Sequence, residues 1–406
     1  MRDWYKFWPC AFYLLGAVLY DLIWKGTSLL PPALSLSDFA APVCLCVMLF
    51  SAKPKCWQVQ SFFIVCIVLN LLFFLKVLLA LDSSYYVLRE LQFVTRFQAY
   101  MLLPIILLAL PSRARLIELC IFIIFIIVAF SALIDLILAL AGLDFLAYSR
   151  SRQGRFIKQV TGFFYEPAAL SQFVLFVLFV STFWYKGWMK RTVLILSPIL
   201  IILTQSLGGF FGLFAYGGFI VLRSRGIGRK VIAVFVTGLL TLIVGLVLVS
   251  IFPDSRVGMF FYDFGHAIDT SAQRRTTIEY QIGEDFFLTS GPVDVSIGLK
   301  PSDADQFRIA SGLIEFDDNV AGNGIVEFLL RYGVIGTALL LLSVFLLGWN
   351  LVGSCLGVGF FMLLCQIDGA IAKPWIFAYM GFYAYFSFRE GLMSANLYAL
   401  RRSSRI

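Results

Sequence analysis

The chain has 406 residues, 60% of them hydrophobic and only 14% charged, with a formal net charge of +8. Its mean hydropathy of +0.90 excludes a soluble domain, because apolar runs of about 18 residues or more recur too often for a water-facing surface. The runs are solidly apolar rather than alternating, which excludes a β-barrel and leaves helices that satisfy their own backbone groups in lipid.

In chain order, apolar runs place spans near 7–24, 33–51, 60–81, 97–111, 116–142, 164–184, 192–205, 207–222, 231–252, 324–349, 354–371 and 374–389. The expected fold is all-α, a polytopic bundle of about 11–13 spans forming a single membrane domain over 1–406. The fourth, seventh and eighth runs are short, and Gly208-Gly209 suggests a broken or tightly packed hairpin. The start, Met1-Arg2-Asp3, precedes an apolar run but shows no small-residue cleavage signal, so a retained first helix is expected. The eight cysteines lie in or beside apolar runs, which argues against a disulfide framework or a metal cluster.

Lys and Arg in the short loops set the orientation. With the N-terminus inside, the cytoplasmic segments carry Arg2 and Lys6, Lys53 and Lys55, Arg113 and Arg115, and Lys186, Lys190 and Arg191. Arg223, Arg225, Arg229 and Lys230 follow, and the basic tail 389–406 adds Arg389, Arg401, Arg402 and Arg405. Together these are more than half of the 32 basic residues, so both termini are expected to be cytoplasmic. Two segments then fall on the far face, periplasmic in a Gram-negative cell. One is 143–163; the other is 253–323, the longest polar stretch, with the only histidine, His266, and acidic residues from Asp294 to Asp318.

The loop 143–163 holds Arg150, Arg152, Arg155 and Lys158, against the topological bias. An anion to be bound is the simplest reason, with pairing to carboxylates or lipid headgroups as the plainer one. Next comes Thr161-Gly162-Phe163-Phe164-Tyr165-Glu166-Pro167, where Pro167 suits a first helical turn. Glu166 then reads equally as a cap or as a carboxylate lining a cavity below the arginines. Glu327 and Arg331 are spaced for an ion pair on one helix. Lys76, Asp135 and Asp368 lie within apolar runs and should face the protein interior. No phosphate-loop or HExxH motif occurs, so neither cofactor nor metal is expected. Asp303-Ala304-Asp305 has a spacing common by chance.

The arginine-rich loop followed by Gly-Phe-Phe-Tyr-Glu-Pro-Ala-Ala-Leu-Ser-Gln (162–172) resembles the O-antigen polymerase and ligase superfamily of bacterial inner membranes. Thr204-Gln205-Ser206-Leu207-Gly208-Gly209 is similar to the turn before that family's mid-chain helix. The stretch from Gly322 to Gly336 is similar to its re-entry segment after the large periplasmic loop. Arg275, with Arg274 beside it, resembles the arginine opening that loop's first helix, and the pair Pro292…Gly298 follows in the family's order. Ligases of the superfamily carry a histidine where this chain has Gly322, which favours a polymerase.

The resemblance implies a GT-C-like bundle that joins repeat units carried on undecaprenyl diphosphate, without a metal. It implies an undecaprenyl-diphosphate-linked oligosaccharide and membrane lipid as partners, and a chain-length regulator, but no nucleic acid. On this reading Arg150, Arg152, Arg155, Arg274 and Arg275 hold the diphosphate. Glu166, then Asp317 or Asp318, serves as the base. A ligase with another base, and a polysaccharide flippase or transporter, remain open.

Overall fold

In a computed structural model of the protein, the described residues are 57–108, 114–141, 143, 160–164, 167–183, 185–223, 279–310, 324–348, 351–368, 376–377, 379–389 and 391. Among them every regular element is a helix: α1 (Trp57–Leu79), α2 (Ser84–Leu108), α3 (Ala114–Leu140), α4 (Pro167–Phe183), α5 (Gly187–Thr204), α6 (Leu207–Arg223), α7 (Glu279–Thr289), α8 (Pro292–Ile297), α9 (Pro301–Ala310), α10 (Gly324–Phe345) and α11 (Leu351–Asp368). Residues 379–389 form α12. The predicted spans near 7–24, 33–51 and 231–252 lie outside the described residues.

Among the described residues four helices are long and apolar enough to cross a membrane: α1 over Val59–Leu79, α3 over Glu118–Leu140, α5 and α10. Their outward faces are apolar too. On α3, Ile123, Ile127, Phe130, Ile137 and Leu140 are exposed, while Ile121, Phe125, Val128 and Ala132 are buried. A helix apolar on both faces needs a non-aqueous exterior, which identifies a membrane protein.

The short helix α4 explains how the bundle is centred. All residues from 169 to 181 are buried, so α4 is enclosed by protein rather than by lipid. Across from it, α12 buries Tyr379, Phe382, Tyr385 and Phe388, and the Phe176 and Tyr379 rings stack with centroids 4.5 Å apart. Gln172 Nε2 donates to the Leu364 carbonyl at 2.7 Å and so ties α4 to α11 within the interior. The α5–α6 connection is the tight hairpin that its glycines suggest. Gln205 takes a left-handed conformation (φ 50°), and a Cβ on Gly209 would lie 2.9 Å from Ser171 Oγ on α4.

The two ends of the bundle can be told apart by which elements meet there. At one end, here the upper, Val160 N–H donates to the Leu203 carbonyl and Lys76 reaches Gly298. At the other, Tyr185 Oη donates to the Glu118 carbonyl, and Arg389 lies 3.5 Å from the Glu118 carboxylate. Each pair joins segments that the alternation of spans puts on one side of a membrane.

One element differs from expectation. The fourth span was read as a short run near 97–111, yet α2 begins at Ser84 and is 25 residues long. Its first turns carry Arg89 and Glu90, which hide the helix from a hydropathy reading. Partners from other elements compensate those charges.

Candidate functional site

Six ionisable side chains meet at the upper end, where α2, α9 and α10 converge. Arg331 is 6% exposed and its guanidinium spans three carboxylates: Glu90 at 3.0 Å, Asp305 at 3.1 Å and Glu327 at 3.5 Å. Arg89 reaches two of the same groups, Asp305 at 2.7 Å and Glu327 at 3.1 Å. Tyr332 Oη donates to the second Glu90 oxygen at 2.6 Å. The predicted Glu327–Arg331 pair is therefore present, as one edge of a larger lattice. Buried charge persists only when paired and hydrogen-bonded, and this lattice meets both conditions.

Below the lattice, the polar helices are locked to the membrane helices through backbone. Gly333 breaks α10 with φ 64° and ψ −171°. A Cβ placed there would lie 2.4 Å from the Ser296 carbonyl oxygen and 2.5 Å from Gly298 N. Gly298 itself has φ 82°, and its Cβ would fall 2.3 Å from the Arg331 carbonyl carbon. Only residues without a side chain allow this approach. Leu299 N–H donates to the Leu330 carbonyl at 2.8 Å. Lys76, 1% exposed, donates to the Gly298 and Leu299 carbonyls at 2.8 Å each. A lysine in an apolar span is thus satisfied by carbonyls of a turn more than two hundred residues away. The Pro292…Gly298 pair seen in the sequence is the Pro-started α8 and the glycine that ends it.

A second polar cluster stands at the same end, on α3, α4 and α5. Asp135 Oδ2 accepts from Thr161 N–H at 2.7 Å, Gly162 N–H at 3.0 Å and Thr161 Oγ1 at 3.3 Å. Gly162 has φ 56° and lies so close to α3 that a Cβ would meet Ser131 Oγ at 2.7 Å. Ser171 Oγ and Thr204 Oγ1 are 3.0 Å apart. The Gly162–Gln172 and Thr204–Gly209 motifs, read separately in the sequence, are therefore neighbours in space. Asp135 does face the interior as expected, and its partners among the described residues are the Thr161 and Gly162 amides and the Thr161 hydroxyl. Asp368 closes α11, and its side chain lies outside the described residues.

The residues predicted to perform chemistry fall, in sequence, between the described elements. Glu166 directly precedes Pro167, the first residue of α4. Arg274 and Arg275 precede α7, and Asp317 and Asp318 precede α10. Glu166, Asp317, Asp318, Arg150, Arg152, Arg155, Arg274 and Arg275 lie outside the described residues, as does His266. Asp305, half of the Asp303/Asp305 pair, is engaged by two guanidinium groups, while Asp303 accepts from Ser302 Oγ at 3.1 Å.

The lattice can hold the polar helices in place, but it offers little to an anionic ligand. Among its described members, Arg89 and Arg331 face Glu90, Asp305 and Glu327, so the lattice has no positive charge in excess. Sequence reasoning missed Arg89, Glu90 and Tyr332 as members. The available signal was the opposite charge of Arg89-Glu90 and Glu327/Arg331 in runs that alternation puts at the same end. No family model matches the chain, and no curated protein matches it either.

Proposed function

We propose that the protein is a polymerase of lipid-linked surface polysaccharide, of the O-antigen type, acting at a periplasmic upper end of the bundle. The observation that supports this most is the clamping of a folded polar unit, α7–α9, onto the upper ends of α1, α2 and α10. External chemistry on a membrane-anchored substrate needs groups held at the bilayer surface, and this clamp supplies the rigid frame. The three segments that carry the resemblance also have their described parts at that end.

In the reaction, the terminal sugar hydroxyl of an acceptor attacks the anomeric carbon of the donor chain. A new glycosidic C–O bond forms, the C–O bond to undecaprenyl diphosphate breaks, and the bonding electrons leave on the diphosphate. A carboxylate takes the hydroxyl proton, with Glu166 ranked first and Asp317 or Asp318 next. Fixed positive charge stabilises the departing diphosphate. Arg89 and Arg331 already hold carboxylates, and the candidates for this role are Arg150, Arg152, Arg155, Arg274 and Arg275, as the resemblance implies.

The test is extension of undecaprenyl-diphosphate-linked repeats by the purified protein, read beside lipopolysaccharide ladders in cells. Long chains should form and should be lost in Arg152→Ala and Arg275→Ala. Normal ladders from both variants would reject the arginine assignment. Loss of every repeat from the lipid A core, rather than retention of single repeats, would point to a ligase. Translocation without extension would point to a transporter.

A further inference from the structure

The passage from α7 into α8 exposes apolar side chains where a water-facing segment has no reason to. At the turn between α7 and α8, Phe287 is 49% exposed, Leu288 76% and Val293 68%. Ile282 and Phe286 on the other side of α7 are fully buried in the small cluster with Ala304, Val326 and Leu330. The exposed trio therefore lies outside the unit's own core, one turn beyond the exposed carboxylates Glu284 and Asp285.

Its depth follows from contacts along α10. A Cβ on Gly283 would lie 3.7 Å from Val326 Cγ1, which puts that part of α7 level with the first turn of α10. The Ser296 carbonyl, at the end of α8, is level with Gly333. From Val326 to Gly333 is about 10 Å along the helix, at roughly 1.5 Å per residue. The chain from 284 to 295 therefore descends along α10 in the direction in which α10 enters the bilayer. At the depth it reaches, α10 presents Val334 and Ile335 outward, 41% and 49% exposed. Lys76, in the last turn of the α1 span, touches the turn that follows α8. The apolar tip therefore belongs to a stretch of chain bracketed by levels at which α10 is already a membrane span, and lipid is the apolar occupant found at those levels.

We propose that Phe287, Leu288 and Val293 insert into the headgroup–acyl boundary of the outer leaflet, making residues 284–295 an interfacial anchor for the polar helices. Short apolar wedges at such depth bury side chains among acyl ends while their backbone stays near headgroups. This inference rests on the membrane reading of α10 and on the orientation expected from the basic loops, and not on the proposed reaction.

The test uses the intact protein in vesicles of phosphatidylethanolamine and phosphatidylglycerol. A small fraction of the phospholipid carries a diazirine near the acyl carbonyl. After irradiation, peptide mass spectrometry should find carbene adducts on Phe287, Leu288 or Val293, as well as on Val334 and Ile335. Ile309 serves as the contrast. It is 40% exposed but follows Arg308, which pairs with Glu279 at the far start of α7, so it should carry none. In Leu288→Asp the adducts at 287–293 should fall several-fold while those at Val334 and Ile335 persist. Adducts on Val334 and Ile335 with none at 287–293 would overturn the proposal. So would equal labelling of Ile309, or labelling unchanged in Leu288→Asp.

Discussion

Gly298 lies in the space that a side chain on Gly333 would need, and the Arg331–Tyr332 backbone just before Gly333 fills the space that a side chain on Gly298 would need. The Cβ positions of the two residues fall within 2.3–2.5 Å of the opposing backbone, and both φ values are positive. The polar unit and the broken membrane helix therefore meet backbone to backbone. That contact is closer and less adjustable than one between side chains.

Replacing either glycine by alanine should loosen this junction. A positive φ with extended ψ costs an L-residue about 1–3 kcal/mol, and overpacking adds about 1–3 kcal/mol. Gly333→Ala is expected to lower the thermal midpoint in detergent and raise amide exchange in 292–310. Wild-type exchange across that stretch would refute the account.

Lys76→Met tests the same junction from the α1 side. It keeps the stem's bulk but removes the donor from two buried carbonyls, at a cost of about 1–3 kcal/mol. Limited proteolysis should then cut within 279–310 at lower protease levels, while α4 and α12, enclosed in the bundle, stay protected.

For the charge lattice, Arg331→Met leaves Glu90 buried without its cation, and removing one partner of a buried pair costs about 3–5 kcal/mol. Adding Glu90→Gln neutralises the stranded carboxylate and should recover a large part of that loss. Additive destabilisation in the double variant would show that the two side chains are not coupled.

Asp135 should behave as an anchor for backbone rather than as an ion. Asp135→Asn retains an oxygen that can accept from Thr161 and Gly162 N–H, and should fold and act nearly as wild type. Asp135→Leu strands both amides, at a cost of about 1–3 kcal/mol each, and should loosen 160–164. If Asn and Leu proved equally damaging, the negative charge itself would be the requirement.

Some of this was legible in the chain without a structure. Solid apolar runs mark membrane helices, because lipid tolerates only self-satisfied backbone, and α1, α3, α5 and α10 fall where hydropathy places them. The Glu327–Arg331 pair and the burial of Lys76 and Asp135 also follow from local rules, since spacing and the cost of charge in lipid are local properties. Gly208-Gly209 announced a tight hairpin for the same reason.

What answers each of those charges is a tertiary matter. Lys76 is met by the Gly298 and Leu299 carbonyls, Asp135 by the amides of Thr161 and Gly162, and Arg331 by Glu90 and Asp305 as well as by its neighbour on the helix. Hydropathy averages a helix over its length, so the charged first turns of α2 read as loop until partners on α9 and α10 are seen. Only a pairwise distance tells a lysine that binds carbonyls from one that awaits an anion. Composition and periodicity place each residue at a depth and on a face, whereas partner choice is made where α1, α2, α9 and α10 pack together.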